Sequence, residues 1–299
     1  MNVLPTLMRR ELWEHRALWV APLVVVVLLL LSVMSGRGTV DLPDEVFDGA
    51  LTRDQKLALF ALTQWALTIP QYVVMVIVLF FYLIDCLYAE RKDRSILFWK
   101  SLPVSDGATV ISKLLVALVL VPLGVYVLAL VTDVLFAGVL SFRLRDSVMG
   151  QALLTWDTGV WLQVQGLMFV GLIVAMLWYA PIAAYLLLVS AWARRNVFLW
   201  AVLPPVLLLM AEEIAFNTDY VKNFLGYRLG GVWGELGVGH GLNQLETVLK
   251  TDGSSSVQNL FKTIDATSVF GSAGLWLGVA AAVALVWGAV RFRRYRDDT

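Results

Sequence analysis

Long apolar runs alternate with polar gaps over the whole chain, and the lengths of the runs predict an all-α membrane protein with six transmembrane helices. The runs lie at approximately 17–35, 65–88, 110–140, 162–193, 197–211 and 270–290. The first matches the roughly 20 residues that a helix needs to cross a hydrocarbon core. The third and fourth are longer, so they must tilt or project beyond the bilayer. Pro122 in the third and Pro181 in the fourth predict bends, because proline cannot donate the helical hydrogen bond to the residue one turn earlier. Pro204 and Pro205 break the fifth, which predicts a helix packed where neighbours satisfy the freed carbonyls. The sixth carries Gly274-x-x-x-Gly278 followed by Ala281, Ala282 and Ala284, small residues that let helices approach closely.

The gaps are also patterned. In residues 1–16, Leu4, Leu7, Met8 and Leu12 form an apolar stripe opposite Arg9, Arg10, Glu11 and Glu14, which predicts an interfacial amphipathic helix lying flat on the membrane. Residues 36–64 carry Asp41, Asp44, Glu45, Asp48 and Asp54, without the alternating oxygen ligands, glycine and terminal glutamate of a calcium loop, and they read as a solvated outer loop. Residues 212–267 form a long outer segment rich in glycine and aromatic residues, where glycine serves tight turns and close packing.

Basic residues divide these gaps into two sides. Arg9, Arg10 and Arg16, the 90–113 region, Arg194 with Arg195, and the terminal Arg291, Arg293, Arg294 and Arg296 hold 14 of the 23 lysines and arginines in short segments. By the positive-inside rule these face the cytoplasm, so both termini are expected inside a multi-pass cell membrane protein, with a bacterial cytoplasmic membrane the expected setting.

Composition agrees with the pattern and removes several function classes. Hydrophobic residues make up 59% and charged residues 15%, and mean hydropathy is +0.76. A formal net charge of zero offers no nucleic-acid-binding surface. Cys86 is the single cysteine, and His15 and His240 are predicted on opposite faces, so neither a disulfide nor a metal site is expected. No His-Glu-x-x-His, Gly-x-Ser-x-Gly or Gly-x-x-x-x-Gly-Lys-[Ser/Thr] sequence occurs, and no catalytic residue is assigned.

The distinctive stretch is the cytoplasmic loop 90–105, Glu-Arg-Lys-Asp-Arg-Ser-Ile-Leu-Phe-Trp-Lys-Ser-Leu-Pro-Val-Ser. Ser95, Phe98, Trp99 and Leu102 fall on one face at helical spacing and Pro103 ends the helix, so the loop can either bind a partner or lie on anionic headgroups. The Glu-Arg opening, the serine and phenylalanine at helical spacing, and the closing Ser-Leu-Pro-Val-Ser resemble the first cytoplasmic loop of ABC-2-type transporter permeases. That resemblance implies a coupling helix in which Glu90, Arg91, Arg94, Ser95, Phe98, Trp99 and Leu102 meet a cytoplasmic ABC ATP-binding subunit. It also implies that ATP and Mg are bound by that partner and no cofactor by this chain. A second permease subunit, identical or similar, would complete the pathway, export would be the direction, and segment 212–267 would hold re-entrant helices near the outer mouth. The alternative is a sensor or accessory subunit that transports nothing.

Acids within or beside the spans are the other candidates. Asp133 reads as cavity-facing or as solvated at the interface, and Glu212 and Glu213 as outer-gate residues. Asp85 is placed to snorkel or to pair with Arg91 or Lys113.

Overall fold

The computed structural model describes residues 3–35, 52–95, 104–143, 157–236 and 266–295, and among these every regular element is helical. In chain order they are α1 (Val3–Glu14), α2 (Ala17–Met34), α3 (Arg53–Lys92), α4 (Asp106–Leu115), a π-turn (Val116–Leu120) and α5 (Val121–Arg143). There follow α6 (Thr158–Trp178), α7 (Ala180–Trp192), α8 (Val197–Phe216), α9 (Tyr220–Glu235), α10 (Ala266–Gly271) and α11 (Ala273–Tyr295). Six helical stretches are long and apolar enough to cross a membrane: α2, α3, Asp106–Val139, α6, α8 and α11. The chain is thus a multi-pass membrane protein.

The second span is much longer than its apolar run. α3 has 40 residues, and at about 1.5 Å per residue it is about 60 Å long, twice the roughly 30 Å of a hydrocarbon core. Its start is fixed by a capping box: the Thr52 hydroxyl accepts from the Gln55 amide while the Gln55 side chain accepts from the Thr52 amide. Residues 53–64, expected as loop, are therefore the first turns of α3. Their apolar face does not need lipid, because Ala58 and Ala61 pack against Val164 of α6. The two helices thus extend together away from the membrane-depth core.

The chain accommodates Pro122 and Pro181 in different forms. Ahead of Pro122 the helix widens into the π-turn, where the Val121 amide reaches back to the Val116 carbonyl. This wider turn accommodates a proline that cannot donate, and it is itself packed, with Val116 and Ala117 buried. At Pro181 the chain stays right-handed through Tyr179, whose amide still donates to Ala175. α6 and α7 are consequently one bent rod that the sequence presents as a single run.

The main core gathers Met75, Leu79, Leu83 and Leu87 of α3, Val110 of α4, Val121 and Val125 of α5, and Leu186, Leu187 and Val189 of α7. α7 runs beside α11 on one side and α3 on the other. Ser190 of α7, fully buried, joins it to α3 by accepting from the amides of Leu87 and Tyr88 at 3.1 Å each. Around Pro70, side chains bond back to the carbonyls of α3 itself, Thr68 to Gln64 and Gln71 to Leu67. Such pairing is what membrane depth demands of polar side chains. A second core, built from Val174, Trp178, Val232, Leu236, Val269 and Leu275, joins α6, α9, α10 and α11 at the other end of the bundle.

Candidate functional site

At one end of the bundle, the base, α1 and the ends of α3, α4 and α11 converge on a knot of charges. Sequence periodicity put Glu11 on the polar side of α1, but it is 1% exposed, as is Lys113 of α4. Lys113 Nζ donates to Glu11 Oε1 at 2.8 Å and lies 3.1 Å from Glu90 Oε1. Arg10 Nη2 donates to the same Glu90 oxygen at 2.9 Å. The other oxygen, Glu90 Oε2, accepts from Arg293 Nη1 at 2.6 Å, and Arg293 Nε donates to Asp106 Oδ1 at 3.1 Å. Tyr82 completes the set by donating its hydroxyl to Glu11 Oε2 at 3.0 Å.

Three carboxylates, Glu11, Glu90 and Asp106, face three cations, Arg10, Lys113 and Arg293. The balance is what makes burial tolerable, since desolvating an unpaired ion costs several kcal/mol. Burial opposes the charge on Arg10, yet Glu11, Glu14 and Glu90 around it hold its pKa above the ordinary arginine value. Burial pushes His15 below the ordinary histidine value, with Glu11 pulling against the shift and Lys113 adding to it. The imidazole stands edge-on to Tyr82, with ring centroids 4.9 Å apart. α1 is therefore docked on the bundle through Leu7 and Glu11, while Leu4 and Trp13 remain exposed.

The knot brackets the 90–105 loop. Glu90 ends α3 on one side of the loop, Asp106 begins α4 on the other, and Arg293 of α11 holds both. Arg91 Nη2 donates to the carbonyls of Ser190 at 2.5 Å and Ala193 at 2.9 Å, fastening the loop's root to the end of α7. Arg94 turns the chain with a φ of 56°, and Ser95 donates back to the Glu90 carbonyl at 3.2 Å. Ser105 caps α4 through the Ala108 amide. Phe98, Trp99 and Leu102 lie outside the described residues. Glu90 and Arg91 are thus engaged within the bundle. Asp85 is exposed, and its sequence-level partner Lys113 is engaged with Glu11 and Glu90 instead.

The remaining candidates occupy the other end. Asp133 is buried between α3, α5 and α6, and Gln165 donates to it at 2.7 Å. Glu212 accepts from the Tyr220 amide at 2.7 Å, the Val221 amide at 2.6 Å and the Thr218 hydroxyl at 2.9 Å. Both of its oxygens therefore satisfy the start of α9, where helical amides lack partners. Glu213, one residue on, is exposed. α9 falls in the segment expected to be re-entrant and sends Arg228 onto α11: Nη2 donates to the Gly274 carbonyl at 2.6 Å, and the guanidinium lies 5.0 Å from the centroid of Trp178. The small-residue face of α11 is filled from within the chain, because a Cβ at Gly278 would meet the Arg228 guanidinium and one at Gly274 the Tyr227 ring.

Glu11, Lys113, Asp106 and Arg293 carried no individual site assignment in the sequence reading. Their signal was available as charged residues placed within about two turns of span ends, on three segments that the positive-inside rule assigns to one membrane face. What the sequence lacked was the pairing. No family model matches the chain, and neither a curated protein nor a solved structure matches it.

Proposed function

We propose that this chain is the permease subunit of an ATP-driven ABC exporter, forming half of a translocation pathway with a second, identical or similar, subunit. ATP and Mg belong to a separate cytoplasmic ATP-binding subunit, and both termini and the charged base face the cytoplasm. The observation that carries the reading is the double hold of Arg293 on Glu90 and Asp106. A loop clamped at both roots to α3, α4 and α11, with α1 tied in through Glu11, is built to pass a displacement into several spans at once. A lipid-surface loop needs no such clamping. Phe98, Trp99 and Leu102 are then the partner-facing residues between the two roots, and Glu90 and Arg91 the anchors behind them.

The test is co-purification of the ATP-binding subunit with wild type and with Phe98→Ala/Trp99→Ala, followed by ATP hydrolysis and transport in reconstituted vesicles. Truncating an aromatic anchor at an interface typically costs about 2 kcal/mol or more, so binding should weaken by at least roughly thirtyfold while membrane insertion is unchanged. Normal binding, hydrolysis and transport in the double variant would remove the loop from the mechanism. Recovery of a partner with no ATP-binding capacity would favour a sensor or accessory role.

A further inference from the structure

Asp133 differs from the acids of the base in having no cation. It is 1% exposed, and among the described residues no basic side chain pairs with it. The groups that face it are neutral: Gln165 of α6 donates from Nε2 to Oδ2 at 2.7 Å, and the Trp161 indole of α6 and Tyr126 of α5 lie nearby. From α3, the Gln64 amide lies 2.8 Å from Oδ1 and 2.5 Å from Oδ2. An ionised carboxylate out of water is costly without a counter-charge, and amide dipoles offset that cost only in part.

The Gln64 amide has two settings with different requirements. With its nitrogen toward Asp133, a carboxylate accepts two hydrogens from it. With its oxygen toward Asp133, only a hydrogen on the carboxyl itself can join the two groups. Separations of 2.5 and 2.8 Å put the Gln64 amide in direct hydrogen-bond contact with the carboxyl group. They are too short to hold a metal ion, whose bonds of about 2.0–2.6 Å to each oxygen would spread the ligands to about 3 Å or more.

We propose that Asp133 is a proton-binding site whose occupancy sets the direction of the Gln64 amide. When a proton arrives from water at this end of the bundle, an O–H bond forms on Oδ1 and donates to Gln64 Oε1. On release the proton returns to water, the amide makes a half-turn, and Nε2 donates to the carboxylate in its place. No electrons move, and Gln165 donates to Oδ2 in both states. Because the three side chains come from α3, α5 and α6, each exchange changes the bonds that hold those helices together where they extend from the core. The site stands independently of any ATP-binding partner.

The full-length protein in lipid nanodiscs would be treated with dicyclohexylcarbodiimide, which adds to protonated carboxyls in apolar surroundings and not to carboxylates, and the adduct mapped by peptide mass spectrometry. In parallel, infrared spectra of wild type, Asp133→Asn and Gln64→Leu would be titrated over the pH range in which each stays folded. The expected result is an adduct on Asp133 that diminishes as pH rises. The infrared counterpart is a carboxyl C=O band, absent from Asp133→Asn, that comes and goes reversibly with an amide band missing in Gln64→Leu. The absence throughout the folded range of any C=O band sensitive to Asp133→Asn would overturn the proposal. Should Asp133→Asn fail to fold, the wild-type adduct decides: modification elsewhere with none at Asp133 at any pH would overturn it equally.

Discussion

Lys113 and Glu11 meet at 2.8 Å with each side chain 1% exposed, which ties the N-terminal helix to the first turns of the third span by a charge pair inside the protein. Pairs of this kind are asymmetric in energy. Removing one partner strands the other, and the loss is about 3–5 kcal/mol, whereas replacing both by apolar residues of similar volume is often close to neutral. Glu11→Leu alone and Lys113→Met alone should therefore each lower stability by that amount. The double variant should recover much of it, incompletely, because Glu90 and Tyr82 would each lose a partner. Denaturation in mild detergent, followed by a fluorescence or aggregation midpoint, measures all three. Additive losses in the double variant would mean that the two side chains act separately.

His15 gives the base a pH dependence. Its folded-state pKa lies below the ordinary 6.5, chiefly through burial, with Lys113 contributing and Glu11, Glu14 and Asp85 opposing. A histidine whose folded pKa is depressed binds its proton more readily when unfolded. Its contribution is therefore full above the unfolded value and declines as pH falls through about 6.5 and below. Thermal midpoints of wild type should drop between about pH 7.5 and about pH 5.5 by more than those of His15→Gln. Equal drops would place the acid sensitivity elsewhere.

Much of the fold was legible because membrane spans declare themselves by length and apolarity, and the irregular turns beside Pro122 and Pro181 because proline lacks a donor. The polar start of α3 reads as loop although Thr52 and Gln55 spell its capping box, because the apolar face that makes it a helix is short and is covered by α6. The base was harder to read. Periodicity placed Glu11 opposite the apolar stripe, and only tertiary packing supplies the Lys113 and Tyr82 that make it a buried residue. Gly274 and Gly278 read correctly as a close-approach surface, but a single sequence cannot say whether the approaching group is another helix or, as found, the Tyr227 and Arg228 side chains.

That last contact makes Gly278 testable. A Cβ there would meet the Arg228 guanidinium, whose flexible end can move only by leaving the Trp178 ring and the Gly274 carbonyl. A charged hydrogen bond contributes about 1.5–3 kcal/mol and a cation–π contact about 0.5–2 kcal/mol. Gly278→Ala should cost about 2 kcal/mol, and most of that cost should vanish in the Arg228→Ala background. A double-variant cycle on thermal stability reads the coupling. An unchanged Gly278→Ala cost without the arginine would show that the glycine serves something else.

Topology is the last expectation, and it follows from charge density. The two roots of the 90–105 loop and the end of α11 share the basic base, whereas segment 212–267 joins α8 to α11 at the opposite ends of those spans. Cys86 is buried, so Cys86→Ala gives a background without cysteine at the cost of one small packed side chain. Ser95→Cys and Ser254→Cys introduced into that background should then respond oppositely to a membrane-impermeant maleimide. In intact cells Ser254→Cys should label and Ser95→Cys should not, and permeabilisation should expose Ser95→Cys. Labelling of both positions in intact cells would break the arrangement of six spans with both termini inside. The reverse pattern would keep the spans, invert the protein in the membrane and move the charged base to the outer face, where no ATP-binding subunit could reach it.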